Sequence, residues 1–252
     1  MSGALAGRVV LVTGAGRGVG RGIVDALAAE GASVVASVHH EADAAPLVAA
    51  VGGPTIAPVC DVTSRADVDA AVACAIDTFG GLDAVVHNAV SNRSNEITDL
   101  EGAEPALVAE HMSVSVRALF HLAQAAYPAL RARHGTLVVL TSPAGIQGTP
   151  DRALYGMVKG AQRGFLKALA REWGPDGVRV NGVAPLAMTP ALERAFAGDP
   201  GMEARLSRIV PLGRFGDPAR DIGPAVAYLC GDGARYVTGQ TLAVSGGRFT
   251  AL

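Results

Sequence analysis

Residues 8–31 read RVVLVTGAGRGVGRGIVDALAAEG. The β-branched run RVVLV (8–12) predicts a strand that is apolar on both sides and therefore buried on both faces. In GRGIVDALAAEG (20–31), Ile23, Val24, Leu27 and Ala28 fall on one stripe and Gly31 closes the segment, which predicts an amphipathic helix. Between them lies TGAGRGVG (13–20). Glycines at 14, 18 and 20 let the backbone turn tightly and approach a pyrophosphate, whose charge the following helix N-terminus stabilises. The spacing is G-x-x-x-G-x-G rather than G-x-G-x-x-G, but its place after a strand and before a helix reads as a dinucleotide turn.

The same alternation runs along the chain. SVVASV (33–38), TIAPV (55–59), AVVH (84–87), TLVVLT (136–141), VRVNGV (178–183) and TLAVS (241–245) read as further strands, separated by alanine-rich helical segments. Helical connections between successive strands imply an α/β fold: a single Rossmann-type, doubly wound parallel sheet of about seven strands with helices on both faces. No proline- or serine-rich linker, repeat or low-complexity tract divides residues 1–252, so one dinucleotide-binding and catalytic domain is expected.

Half of the residues are apolar, and the formal net charge is -2. That balance offers no electrostatic footprint for nucleic acid or an anionic membrane. No run of about 20 apolar residues is free of charges or breakers, and the N-terminal apolar stretch is too short for a signal segment. Cys60, Cys74 and Cys230 are odd in number and lack Cys-x-x-Cys spacing, which points to buried thiols in a reducing, cytoplasmic setting. The six histidines show no metal-ligand spacing, so no metal is expected.

A second stretch carries chemistry. LYGMVKGAQRG (154–164) contains Lys159, one of only two lysines in a chain that otherwise writes its positive charge as arginine. Tyr155 and Lys159, four residues apart in a helix, share one face. Two readings arise: an inconsequential surface pair, or a tyrosine acid tuned by the neighbouring cation. Bringing a tyrosine from pKa near 10 to near 7 takes about 4 kcal/mol of differential stabilisation. A compact, rotatable ammonium suits that task better than a planar guanidinium. No G-x-S-x-G elbow marks a hydrolase.

Taken together, TGAGRGVG, CDVT (60–63), HNA (87–89), Ser142, YGMVK (155–159) and VNGVAP (180–185) resemble the short-chain dehydrogenase/reductase family, in order and over nearly the whole chain. The architecture is similar to that of 3-oxoacyl-carrier-protein reductases and hydroxysteroid dehydrogenases. The resemblance implies hydride transfer between a nicotinamide cofactor and a small carbonyl or secondary alcohol. Tyr155 would be the acid/base, brought toward neutrality by Lys159 together with the oxidised nicotinamide; Ser142 would bond the substrate oxygen, and Lys159 would also bind the nicotinamide ribose. It also implies that Thr13, Gly14, Gly16, Arg17, Gly18, Val19 and Gly20 cradle the cofactor. Asp61 and Val62 would meet the adenine, Asn88 and Ala89 the adenosine ribose, and Pro185 and Thr189 the nicotinamide. Segment 186–215 would be the substrate lid, and the helical segments 118–130 and 165–173 would pair across dyads into a homotetramer.

At the end of strand two, where relatives using NAD usually carry an aspartate, stands Val38, followed by His39. With Arg17 in the glycine turn, this favours NADP(H); NAD(H) is the alternative, in which Arg17 and His39 are solvated loop residues. The chain departs from the family pattern at Val90 and Leu186, usually glycines, and Thr189 comes one residue early. Ser115 stands in place of a catalytic asparagine whose backbone carbonyl holds a relay water. These departures leave a second function open: a cofactor-binding sensor or assembly protein with little catalysis.

Overall fold

The computed structural model describes residues 3–94, 96–199 and 201–250. The chain runs β1 (Val9–Thr13), α1 (Gly18–Ala29), β2 (Ser33–Ser37), a short 3-10 turn (Glu41–Asp43), α2 (Ala44–Val51), β3 (Thr55–Ile56), α3 (Arg65–Phe79) and β4 (Ala84–His87). It continues with α4 (Pro105–His111), a π-helical turn (Met112–Arg117), α5 (Ala118–Ala132), β5 (Thr136–Leu140), α6 (Ala144–Gln147), α7 (Ala153–Trp173) and β6 (Arg179–Pro185). It closes with α8 (Pro190–Gly198), α9 (Met202–Ser207), a second π-helical turn (Pro218–Ile222), α10 (Gly223–Cys230) and β7 (Thr241–Val244).

The strands form one parallel sheet in the order 3-2-1-4-5-6-7. Alternating strand side chains feed two apolar layers. Leu11, Val85, Leu137 and Val139 pack with Val72, Leu119, Leu122 and Leu166 on the face covered by α3, α5 and α7. Val10, Val12, Val86 and Val138 pack with Ile23, Leu27, Val226 and Leu229 on the face covered by α1 and α10. Helices on both faces are why the strands read as unbroken apolar runs.

Local chemistry sets the element ends. Gly31 takes φ +83° just beyond α1, and the Gly31 and Ala32 amides donate to the Ala28 and Leu27 carbonyls. Ser64 caps α3 by accepting from the Asp67 amide at 3.3 Å.

Several strands end elsewhere than the sequence predicts. The third is only Thr55–Ile56 rather than 55–59, because Pro58 has no N–H to give the ladder. Pairing with β2 survives as an isolated bridge between Val38 and Val59. The first strand is displaced to Val9–Thr13, the second and fifth stop one residue early, and the last ends at Val244. The sixth begins at Arg179 and extends to Pro185, since β7 pairs with it as far as Val244. Among the described residues, no helix is long and apolar enough to cross a membrane.

Candidate active site

The crossover between β1 and β4 opens a crevice at the carboxyl ends of the strands, the ligand position of an open α/β sheet. Thr13 and Asn88, which end and follow these strands, tie the crevice together. The Thr13 hydroxyl accepts from the Asn88 and Ala89 amides at 3.1 and 3.2 Å. The Asn88 carboxamide donates to the Thr13 and Gly14 carbonyls at 3.2 and 3.0 Å. Gly14 has φ +65°, and a Cβ there would lie 3.0 Å from the Ala89 Cα. A Cβ on Gly20 would collide with the Gly14 carbonyl oxygen.

The loop Gly14–Gly20 is thus drawn close to its surroundings and leads into α1, whose first turn carries no acid. Gly16, Gly18 and Val19 complete it, and the Pro190 ring approaches Gly18. These residues fit a dinucleotide pyrophosphate: bare backbone, a helix N-terminus and no opposing carboxylate in the first turn.

Beyond the loop, Val38 is buried while His39 and His40 are exposed, with ring centroids 4.5 Å apart. Arg17 is exposed, and its guanidinium donates to the Asn92 side chain at 2.6 Å. Asp61 accepts from the Thr63 amide and hydroxyl at 2.9 and 2.8 Å, beside the buried Val62. One neighbour was not foreseen. The Asp43 carboxylate lies 3.5 Å from where a Cβ on Gly16 would stand, next to Val38. The valine at the end of β2 therefore does not leave this corner free of acid.

Ser142 and Tyr155 line a cleft together with Gln147, Leu186 and Phe249, and Lys159 is buried beside the Tyr155 ring. β5 delivers Ser142 two residues past its end, and α7 presents Tyr155 and Lys159 on one face. Ser142 hydrogen-bonds the Tyr155 phenol. The Lys159 Nζ lies 5.8 Å from the Tyr155 ring centroid. It donates to the Leu140 carbonyl at 2.7 Å and to the Gln162 Oε1 at 3.0 Å. The Gln162 Nε2 in turn donates to the Ser115 carbonyl at 2.8 Å.

Ser115 is buried within the π-helical turn, so that turn forms without an asparagine. Thr189 uses its hydroxyl to cap α8, accepting from the Leu192 amide at 3.3 Å. Pro185 lines the cleft, and Val90 is half-exposed.

Burial raises the Tyr155 pKa above the ordinary value, opposed by the Ser142 hydrogen bond and the Arg152 charge. The Lys159 ammonium itself is held by the Leu140 carbonyl and the Gln162 carboxamide oxygen. Burial lowers Lys159 itself to about 7. His87, buried at the end of β4, is pushed down to about 3, chiefly by burial and then by the Lys159 charge. Its Nδ1 is 3.4 Å from the Thr13 hydroxyl, and its Nε2 forms no complete hydrogen bond.

Gln162 is absent from the sequence reading. Its signal was a polar residue three positions after Lys159 on the stripe that continues to the buried Leu166.

A protein-family model described as enoyl-(acyl carrier protein) reductase matches residues 14–248. The chain is 38% identical to a 2,5-dichloro-2,5-cyclohexadiene-1,4-diol dehydrogenase of Sphingobium indicum, over 98% of this chain and 99% of that protein. It is 35% identical to a 3-oxoacyl-(acyl-carrier-protein) reductase of Vibrio cholerae, over 97% and 98% of the two chains. Among solved structures, a 3-ketoacyl-(acyl-carrier-protein) reductase from Brucella melitensis complexed with NADH superposes with TM-score 0.88. That match has 30% identity and covers 96% of this chain and 98% of that one.

Proposed function

Because this chain belongs to the short-chain dehydrogenase/reductase family, we propose that it is an NAD(P)-dependent oxidoreductase acting on a small carbonyl or secondary alcohol, with Tyr155 as acid/base. The observation that carries this reading is that Ser142 and Tyr155 line one cleft, with the Lys159 ammonium 5.8 Å from the Tyr155 ring centroid. The nicotinamide, when bound, supplies or accepts the hydride.

The chain's own residues manage the oxygen and its proton. Ser142 and Tyr155 are hydrogen-bonded neighbours and present two hydroxyls toward the same space. A phenol whose pKa burial holds high is protonated at neutral pH, the form needed to give a proton to a carbonyl being reduced. As the phenolate forms, the Lys159 charge stabilises it across the short gap, in a cleft drier than bulk water. Thr13, Gly14, Gly16, Gly18, Val19 and Gly20 would hold the pyrophosphate. Asp61, Val62, Asn88 and Ala89 would hold the adenosine, and Pro185, Thr189 and Lys159 the nicotinamide end.

For the cofactor, the missing acid at Val38 and the cation Arg17 favour NADP(H), with His39 beside them. Asp43 beside Gly16 favours NAD(H) as the second reading. We read residues 1–252 as one domain in which 186–215 is the lid. Its start is tied to the residue just beyond it by the Met188 amide on the Gly216 carbonyl at 2.8 Å, and Phe196 of α8 packs on Phe215 within the segment. Three unpaired thiols fit a reducing cytoplasm. Exposed Phe120 on α5 and Leu242 on the β7 edge fit burial in a homotetramer, which light scattering at micromolar concentration would report as four times the chain mass.

The test is a panel of small ketones and diketones with NADPH and NADH, followed at the reduced nicotinamide absorbance. Cofactor oxidation that depends on the carbonyl supports the reading. Tight cofactor binding with no turnover across the panel, in either direction, would favour a sensor instead.

A further inference from the structure

We propose that Gln162 is a positioning residue of this site: its buried carboxamide ties the Lys159 ammonium to the Ser115 carbonyl, fixing where the cation sits and how firmly it keeps its proton. This deepens the oxidoreductase reading and rests on it for the word positioning; the linkage itself stands on geometry.

The chain of contacts permits one orientation. An ammonium has only donors and a backbone carbonyl only an acceptor, so the amide must turn its oxygen to Lys159 and its nitrogen to Ser115. The distances, 3.0 and 2.8 Å, are those of well-formed hydrogen bonds. Gln162 is fully buried and Lys159 nearly so, which keeps bulk water from the pair.

The Ser115 carbonyl belongs to the π-helical turn Met112–Arg117, where the helical repeat departs from that of a regular α-helix. Gln162 donates to it from α7. The same residue thereby fastens the turn to α7 and orients the lysine three positions earlier.

The ionisable groups around Lys159 are His87 at the end of β4 and Tyr155 one turn back, with Arg152 acting on the phenol. None of them is negative at neutral pH. The Leu140 carbonyl and the Gln162 carboxamide oxygen are therefore the acceptors that offset burial of the charge. Removing one must make the lysine give up its proton more readily.

The two lysines, Lys159 and the exposed Lys167, make this directly measurable. The full-length protein labelled with 13C-lysine gives two resolvable side-chain signals, and Lys167 serves as the internal reference. In Gln162→Leu, the Lys159 midpoint is expected to fall by about one pH unit, while Lys167 stays. In Gln162→Glu, a carboxylate takes the place of the neutral oxygen, and the midpoint is expected to rise.

NADPH binding and thermal melting establish that each variant is folded. If Gln162→Leu does not fold, the Glu variant decides. Movement in the stated direction supports the proposal. A folded variant whose Lys159 midpoint stays within about 0.3 unit of wild type overturns it, even if its melting temperature falls, because that result describes packing alone. No substrate enters the measurement, so its outcome is independent of whether the ketone panel finds activity.

Discussion

The Lys159 ammonium is held 2.7 Å from the carbonyl oxygen of Leu140, the last residue of β5. The cation of the site is thus anchored to the strand that delivers Ser142, and it is buried at an energetic cost. Its pKa, about 7 in the fold, lies below its unfolded value of about 10.4.

The sign of the resulting pH dependence follows from proton counting. Between pH 7 and 10 the unfolded chain binds a proton that the folded chain has released, so stability rises with pH across that window. Below pH 7 both states hold the proton and the full burial penalty applies. The thiols Cys60 and Cys230, raised to about 11 and about 12 chiefly by burial, act in the opposite direction only above about pH 9. Urea midpoints at pH 7 and 9 should therefore show a gain of about 1–3 kcal/mol in wild type. Lys159→Met should lack that gain.

The proposed cofactor preference can be tested at Asp43, whose carboxylate lies 3.5 Å from where a Cβ on Gly16 would stand. A carboxylate near a 2′-phosphate repels it, so Asp43→Asn should tighten NADPH binding by about five- to tenfold, 1–1.4 kcal/mol, and leave NADH nearly unchanged. Val38→Asp should shift the preference the other way. Fluorescence titrations of both cofactors against the three proteins measure this. A wild type that binds NADH more tightly, together with an Asp43→Asn variant that does not change, would refute the NADP(H) reading.

The proposed role of Ser115 runs through its backbone. Because its carbonyl already receives the Gln162 amide, Ser115→Asn should change single-turnover hydride transfer by less than about threefold. A tenfold acceleration, about 1.4 kcal/mol in the barrier, would show that an asparagine side chain contributes something the serine lacks.

How far the sequence carried these results differs from place to place. The sheet was legible because strands buried on both faces must be apolar throughout, and the helices between them left only a parallel arrangement. Strand ends were less so: Pro58 shortened β3, and pairing with β7 prolonged β6 to Pro185. The family resemblance singled out Ser142, Tyr155 and Lys159, and the helical repeat put the last two on one face. Gln162 and Asp43 were not singled out, since each acts on a residue brought near by folding. Sequence spacing put the ammonium on the same helical face as Tyr155, while its hold on Leu140 and Gln162 depends on the folded arrangement.

The central claim is that Tyr155 gives the proton that accompanies hydride transfer. Its most direct test is Tyr155→Phe, measured by single-turnover oxidation of bound NADPH with whichever carbonyl the panel identifies. The variant should fold and bind NADPH as wild type does, because only the phenolic oxygen is lost. Its hydride-transfer rate should fall by about a hundredfold or more, the usual worth of a positioned acid. A Tyr155→Phe protein that turns over within threefold of wild type would contradict the account.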